Sequence, residues 1–180
     1  MKKLLVVVDY QQDFVDGALG FAGAEQLEKP LYQAAEQVLA EGGYVVFTRD
    51  THEADYLHTR EGIHLPVEHC IKGTPGHRLY GALHGFETAP RPRTLLLDKP
   101  TFGSPTLARQ AEELCGGAPD VVEVCGVVTD ICVLANAILL HTAFPLANVR
   151  VLKGLCGSGN GANAAKALDL LAGMGIAVVE

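Results

Sequence analysis

The sequence predicts a three-layer, doubly wound α/β fold: a sheet of about six mostly parallel strands with helices on both faces. Two observations carry that prediction. Short β-branched runs recur along the whole chain, and stretches of helical periodicity separate most of them. The runs are also continuous rather than alternating, as in strands buried on both faces of a parallel sheet.

In chain order, residues 3–8 (KLLVVV) are the first run. Its apolar stretch is five residues long and stops at Asp9, too short for a signal-peptide core, and reads as a strand. Residues 30–41 (PLYQAAEQVLAE) open with Pro30, which the first turn of a helix tolerates, and stop at Gly42-Gly43. Strands follow at 44–48 (YVVFT) and 93–98 (RTLLLD), then a helix at 104–115 after Gly103-Ser104. Residues 120–127 (DVVEVCGV) are the fourth run, and a helix over 130–143 follows Thr129. Residues 148–152 (NVRVL), a helix over 161–173 after Asn160, and 176–180 (IAVVE) complete the pattern. No repeat or linker divides the chain, so residues 1–180 read as a single domain. Its one long irregular segment runs from about 50 to 93, and such a segment in a compact domain often carries function.

Composition narrows the function. Hydrophobic residues at 48% and charged residues at 19% exclude a disordered chain. The net charge of −7, without a basic cluster, argues against nucleic acid or an anionic membrane as partner. No apolar run approaches the roughly 18 residues needed to span a bilayer. Five cysteines, an odd number with no CxxC pair, speak against a disulfide framework and for a reducing cytoplasm.

In a doubly wound sheet, ligands bind beyond the carboxyl ends of the strands, where the strand order reverses. Those ends carry Asp9, Asp50, Lys99 and the Thr129-Asp130-Cys132 turn. With strand order 3-2-1-4-5-6, Asp9 and Cys132 face each other across the switch point, and Lys99 lies on the same rim. A thiol at a helix N-terminus beside an ammonium is expected to favour thiolate. A neighbouring aspartate can take the thiol proton and later return it to a leaving group. Singly, each residue has an ordinary explanation: a loop-capping Asp, a solvated Lys, a packed Cys. Their coincidence points to nucleophilic acyl transfer.

Three motifs, VVVDYQQDF (6–14), DKPTF (98–102) and GVVTDICV (126–133), resemble those of the nicotinamidase/isochorismatase-like cysteine hydrolases. The resemblance runs from about residue 3 to 155 and implies the isochorismatase-like hydrolase fold. It implies that Asp9 is the general acid/base, Lys99 the stabilising cation and Cys132 the nucleophile. It also implies a cis peptide between Val127 and Val128, which would aim the amides of Val128 and Cys132 at an oxyanion.

The long segment contains Asp50 and His52 as D-x-H, followed by His58, Glu61, His64, His69 and Cys70. Carboxylates with imidazoles suit a divalent ion: zinc first, manganese or iron as alternatives. The segment resembles the metal loop of nicotinamidases, which implies Asp50, His52 and His69 as ligands. Glu61 is favoured as the fourth, with His58 as the alternative, and His64 and Cys70 are bystanders. Isochorismatases lack this loop, so the resemblance implies an amidase of small carboxamides, within NAD metabolism.

Phe14, Leu65 and Phe102 are the candidate pocket residues. Leu65 stands where nicotinamidases usually carry a large aromatic, and the chain has no tryptophan. GSGNGA (157–162) matches a loose dinucleotide pattern but lies in the fifth βα unit without a second nucleotide-binding half, so it reads as a loop before the last helix. Cys115, Cys125 and Cys156 read as packing thiols. The expected activity is a metal-dependent cysteine amidohydrolase acting on nicotinamide or a similar amide. A relative hydrolysing a carbamoyl compound or isochorismate is the alternative, and a non-catalytic binding module a third reading. The expected partner is a small-molecule amide, and a homo-oligomer stays open.

Overall fold

The computed structural model describes residues 1–180. Six strands form one sheet: β1 (Lys3–Val8), β2 (Tyr44–Asp50), β3 (Thr94–Lys99), β4 (Val121–Val127), β5 (Asn148–Gly157) and β6 (Ala177–Val179). Their order is β3-β2-β1-β4-β5-β6, and every pairing is parallel. The order therefore reverses between β1 and β4, the sheet's switch point.

Four longer helices cover the faces: α1 (Glu28–Ala40), α2 (Leu107–Cys115), α3 (Leu134–Ala143) and α4 (Gly161–Gly173). The central strands β1 and β4 are buried along almost their whole length, which is why they are apolar apart from Lys3 and Glu123, which pair with each other at 3.1 Å. Because successive residues point to opposite faces, they feed two cores. Leu4, Val6 and Val8 pack with Val122, Val124, Ala137 and Leu140 on one side. Leu5 and Val7 pack with Leu31, Ala35, Phe47 and Cys125 on the other. Gly126 brings β4 close to β1: a Cβ there would come within 2.2 Å of the Val8 carbonyl oxygen, at φ +108°.

The structure shifts several sequence boundaries. α1 begins at Glu28, so Pro30 sits inside the first turn, where its missing N–H is no loss. β5 continues past Leu152 to Gly157, beyond the end of β6, because its second half pairs with the last turn of β4. The 50–93 segment contains short helical turns at Tyr56–His58, Arg60–His64, Pro75–His77 and Gly81–Thr88. No helix is long and apolar enough to cross a membrane.

Candidate active site

Three strand ends meet at the switch point. Asp9 follows β1 in a left-handed conformation (φ 48°) and is fully buried. The Thr48 hydroxyl donates to its Oδ1 at 2.6 Å, which turns Oδ2 toward the centre of the rim. Lys99 ends β3, two strands away, yet its side chain lies over the end of β2 and reaches β1. Its Nζ lies 2.6 Å from Asp9 Oδ2, 3.4 Å from Asp50 Oδ1 and 3.7 Å from Cys132 Sγ. It also donates to the Thr101 carbonyl at 3.0 Å, so a fully buried ammonium finds partners on every side.

Cys132 enters from β4. The Val127–Val128 peptide is cis, and the chain then makes a π-helical turn over Thr129–Val133 before α3 begins. Cys132 is 3% exposed. Asp130, in the same turn, accepts a hydrogen bond from the Ser158 hydroxyl at 2.6 Å. The GSGNGA loop thus braces the turn carrying Cys132, with Gly157 packed against Phe21 and Leu27.

Burial pushes the Cys132 thiol well above its ordinary range, the Asp9 and Asp50 carboxylates push the same way, and Lys99 pulls it down. Burial and the two carboxylates therefore work against the thiolate that a helix terminus and the Lys99 ammonium favour. Burial also raises the Asp9 carboxyl, despite Lys99 pulling it down. Burial would lower Lys99, but Asp9, Cys132 and Asp50 together outweigh it and keep the ammonium protonated. A carboxyl raised by burial, a buried ammonium and a buried thiol share one rim.

The second constellation adjoins the first. Ligand atoms of Asp50, His52, Glu61 and His69 lie within 4.8 Å of one another. Asp50 Oδ2 is 3.1 Å from His52 Nε2 and 3.3 Å from His69 Nε2, and His52 Nε2 is 3.6 Å from Glu61 Oε1. Outer contacts orient the set. His69 Nδ1 bonds the Val67 carbonyl at 2.8 Å, leaving Nε2 to face the cluster. Gln11 donates from Nε2 to the Asp50 and His77 carbonyls and accepts the Asp50 N–H, gripping that backbone from both sides. Asp13 Oδ2 accepts the Cys70 N–H at 2.7 Å, and a Cβ on Gly76 would strike the same carboxylate at 2.0 Å.

These residues fit a divalent cation. Glu61 Oε1 is buried without a hydrogen-bond partner, and burial together with Asp50 raises the Glu61 carboxyl. Burial opposes the charge on Asp50 as well, yet hydrogen bonds from His52 and His69, with Lys99, hold its carboxyl far below the usual range. Two imidazoles and two carboxylates around an unsatisfied oxygen make a donor set for a borderline metal ion. His58, the alternative ligand, is exposed and outside the cluster. His64 is also exposed, and burial pushes the Cys70 thiol far up.

A cleft of about 930 Å³ is lined by His52 and Glu61 of the second constellation, by Lys99 of the first, and by Leu65, Phe102 and Ile131. Phe14 is not on the wall. It is buried behind the cluster, edge-on to His69 with ring centroids 5.7 Å apart. Burial raises the thiols of Cys125, Cys115 (to about 11) and Cys156 (to about 12), consistent with inert packing. All five cysteines are free.

Sequence reasoning missed Gln11, Asp13, Thr48 and Asn136. The signal for Asn136 was present: a lone amide inside an otherwise apolar helix, fully buried in the structure. Thr48 carried no signal, since threonine is an ordinary strand residue.

An all-parallel sheet whose rim gathers a carboxylate, an ammonium and a thiol defines a class of α/β protein suited to acyl-transfer chemistry. Comparison with known proteins narrows it. The Isochorismatase domain model matches residues 3–180. A curated relative from Bacillus subtilis (strain 168), an isochorismatase family protein called PncA, is 34% identical over 152 residues, covering 77% of this chain and 78% of its own. Among solved structures, the nicotinamidase/pyrazinamidase PncA of Bacillus subtilis superposes with a TM-score of 0.88 at 28% identity, covering all of both chains. The pyrazinamidase/nicotinamidase of Streptococcus mutans UA159 gives 0.83 at 29% identity, over 99% of this chain and all of its own. The chain belongs to the isochorismatase family.

Proposed function

We propose that this protein is a metal-dependent cysteine amidohydrolase that converts nicotinamide or a similar small carboxamide to the acid and ammonia. One observation carries the reading: a single buried ammonium, Lys99 Nζ, touches Asp9, Cys132 and Asp50 at 2.6, 3.7 and 3.4 Å. It joins an acid/base, a thiol and the metal cluster in one electrostatic unit.

The Cys132 sulfur attacks the carboxamide carbon while its proton passes to Asp9, whose raised basicity suits it to accept. Lys99 offsets the negative charge that gathers on the rim, and the amides of Val128 and Cys132 hold the oxyanion. Asp9 returns the proton to the amide nitrogen as the C–N bond breaks, releasing ammonia and leaving a thioester. Asp9 then takes a proton from water as the water oxygen attacks the thioester carbon. The C–S bond breaks, and Asp9 reprotonates the sulfur. A divalent ion held by Asp50, His52, Glu61 and His69 would supply Lewis acidity and a binding point for the substrate's ring nitrogen, zinc suiting the donor set best and manganese or iron next. Residues 1–180 act as one catalytic domain. Five free thiols suit a reducing cytoplasm, where the product acid would feed NAD metabolism.

A specific feature favours a second substrate reading. Leu65 lines the cleft where an aromatic face would clasp a pyridine ring. Without it, a carbamoyl compound or isochorismate becomes the alternative substrate. The test is ammonia release from nicotinamide by the purified protein beside Cys132→Ala and Asp50→Ala/His52→Ala variants. Turnover lost in both variants supports the proposal. Turnover kept in Cys132→Ala refutes the thioester. No turnover by the wild type moves the assignment to another substrate.

A further inference from the structure

We infer that Asn136 is a positioning residue that locks the turn carrying Cys132 to the wall of the substrate cleft. The inference rests on reading Cys132 as the nucleophile. Asn136 lies in α3 with no exposed surface, beside the core residues Ala137 and Leu140. A buried amide in that setting is costly unless its hydrogen bonds are made.

Its bonds go to two places. Nδ2 donates to the Cys132 carbonyl at 2.8 Å, one helical turn back, and to the Phe102 carbonyl at 3.1 Å. Oδ1 accepts the Ser104 N–H at 3.0 Å. The amide thus holds the nucleophile's own carbonyl and both flanks of Gly103. That glycine lies flat on α3: a Cβ there would come within 2.7 Å of Leu139 Cδ1 and 3.1 Å of Ala135 Cβ. The clamped loop begins at Lys99 and presents Phe102, 43% exposed, to the cleft. Asn136 therefore ties the backbone of the Cys132 turn to the loop that carries Phe102, in addition to the Lys99 contacts with Thr101 and Cys132 Sγ at that loop's start.

The two halves of this clamp are separable. A threonine in a helix can return a hydroxyl hydrogen bond to the carbonyl one turn back, but it is too short to reach the loop. Asn136→Thr keeps the nucleophile half and loses the wall half, whereas Asn136→Ala loses both.

The experiment compares kcat and KM for nicotinamide in the wild type and both variants, per folded molecule. In parallel, the acylation burst with p-nitrophenyl acetate reads Cys132 directly, with Cys132→Ala as control. Asn136→Ala is expected to lower kcat and the burst rate about tenfold or more, since small misplacements of reacting groups are expensive, and to raise KM. Asn136→Thr is expected to match that KM rise while losing less kcat. A purely structural role would lower stability and leave kcat and KM of the folded fraction unchanged in both variants, which overturns the inference. If Asn136→Ala does not fold, an unchanged KM in Asn136→Thr overturns it alone. A burst that survives Cys132→Ala refutes the nucleophile reading instead. A wild type inactive on nicotinamide refutes only the substrate, and the burst rates still decide Asn136.

Discussion

Asp50 and Lys99 share a carboxylate contact that divides the rim: Asp50 Oδ1 lies 3.4 Å from Lys99 Nζ, while Asp50 Oδ2 turns to His52 and His69 at 3.1 and 3.3 Å. One carboxylate therefore serves the ammonium with one oxygen and the metal cluster with the other. Asp50→Asn should remove the metal, read by elemental analysis, and lower kcat beyond what metal loss alone explains. His52→Ala, which loses metal but keeps the Asp50 charge, provides the comparison. Equal residual kcat in the two metal-free variants would show that Asp50 does not support Lys99.

Gln11 fixes the Asp50 backbone through both its N–H and its carbonyl. Outer contacts of this kind are worth about 10–100-fold in metal affinity. Gln11→Leu should weaken zinc binding by that factor in a chelator competition while leaving the ligand side chains intact. Unchanged affinity would mean that the cluster is held by packing alone.

The Asp9–Lys99 pair is fully buried. Lys99→Met leaves an unpaired buried carboxylate and should cost about 3–5 kcal/mol of unfolding free energy near neutral pH. In that variant the folded Asp9 binds its proton more tightly than the unfolded one. The added loss should therefore be small at acid pH and grow as pH rises through the carboxylate range. Urea denaturation of Lys99→Met beside Lys99→Met/Asp9→Asn isolates it, because the double variant should recover most of the loss at neutral pH.

Burial raises Asp9, and the proposed reaction needs its carboxylate. With metal kept saturating, kcat/KM should fall with decreasing pH along a limb centred above the ordinary aspartate value of about 4. A limb at or below that value would remove Asp9 as the base.

Leu65 offers the cleft an aliphatic wall. Leu65→Phe should lower KM for nicotinamide by about two- to tenfold, the equivalent of an aromatic contact of about 0.5–1.5 kcal/mol. An unchanged or raised KM would place the ring elsewhere in the cleft.

The sheet was legible in the sequence because each central strand is buried on both faces and so reads as an almost continuous apolar run, broken in β4 only by Glu123. Parallel connection then constrained the strand order, and the order brought Asp9, Lys99 and Cys132 to one rim. What stayed hidden depended on three-dimensional neighbours. The helical turns of the 50–93 segment are too short for periodicity to register. The full setting of Cys132 was not legible, because a helix terminus is visible in sequence, whereas complete burial beside two carboxylates is not. For Phe14 the motif left pocket and core packing open, and the short turn at Gln12–Val15 packs it in the core against His69. Asn136 stood out as an amide in a helix, but its partner Phe102, like the His77 partner of Gln11, lies far along the chain where no local pattern points.

The divided carboxylate also limits how this lineage can diverge. Under the proposed metal role, losing Asp50 would also strip Lys99 of a counter-charge, whereas losing Glu61 would leave the Asp50–Lys99 contact in place. Change is therefore easier to accommodate at Glu61 than at Asp50.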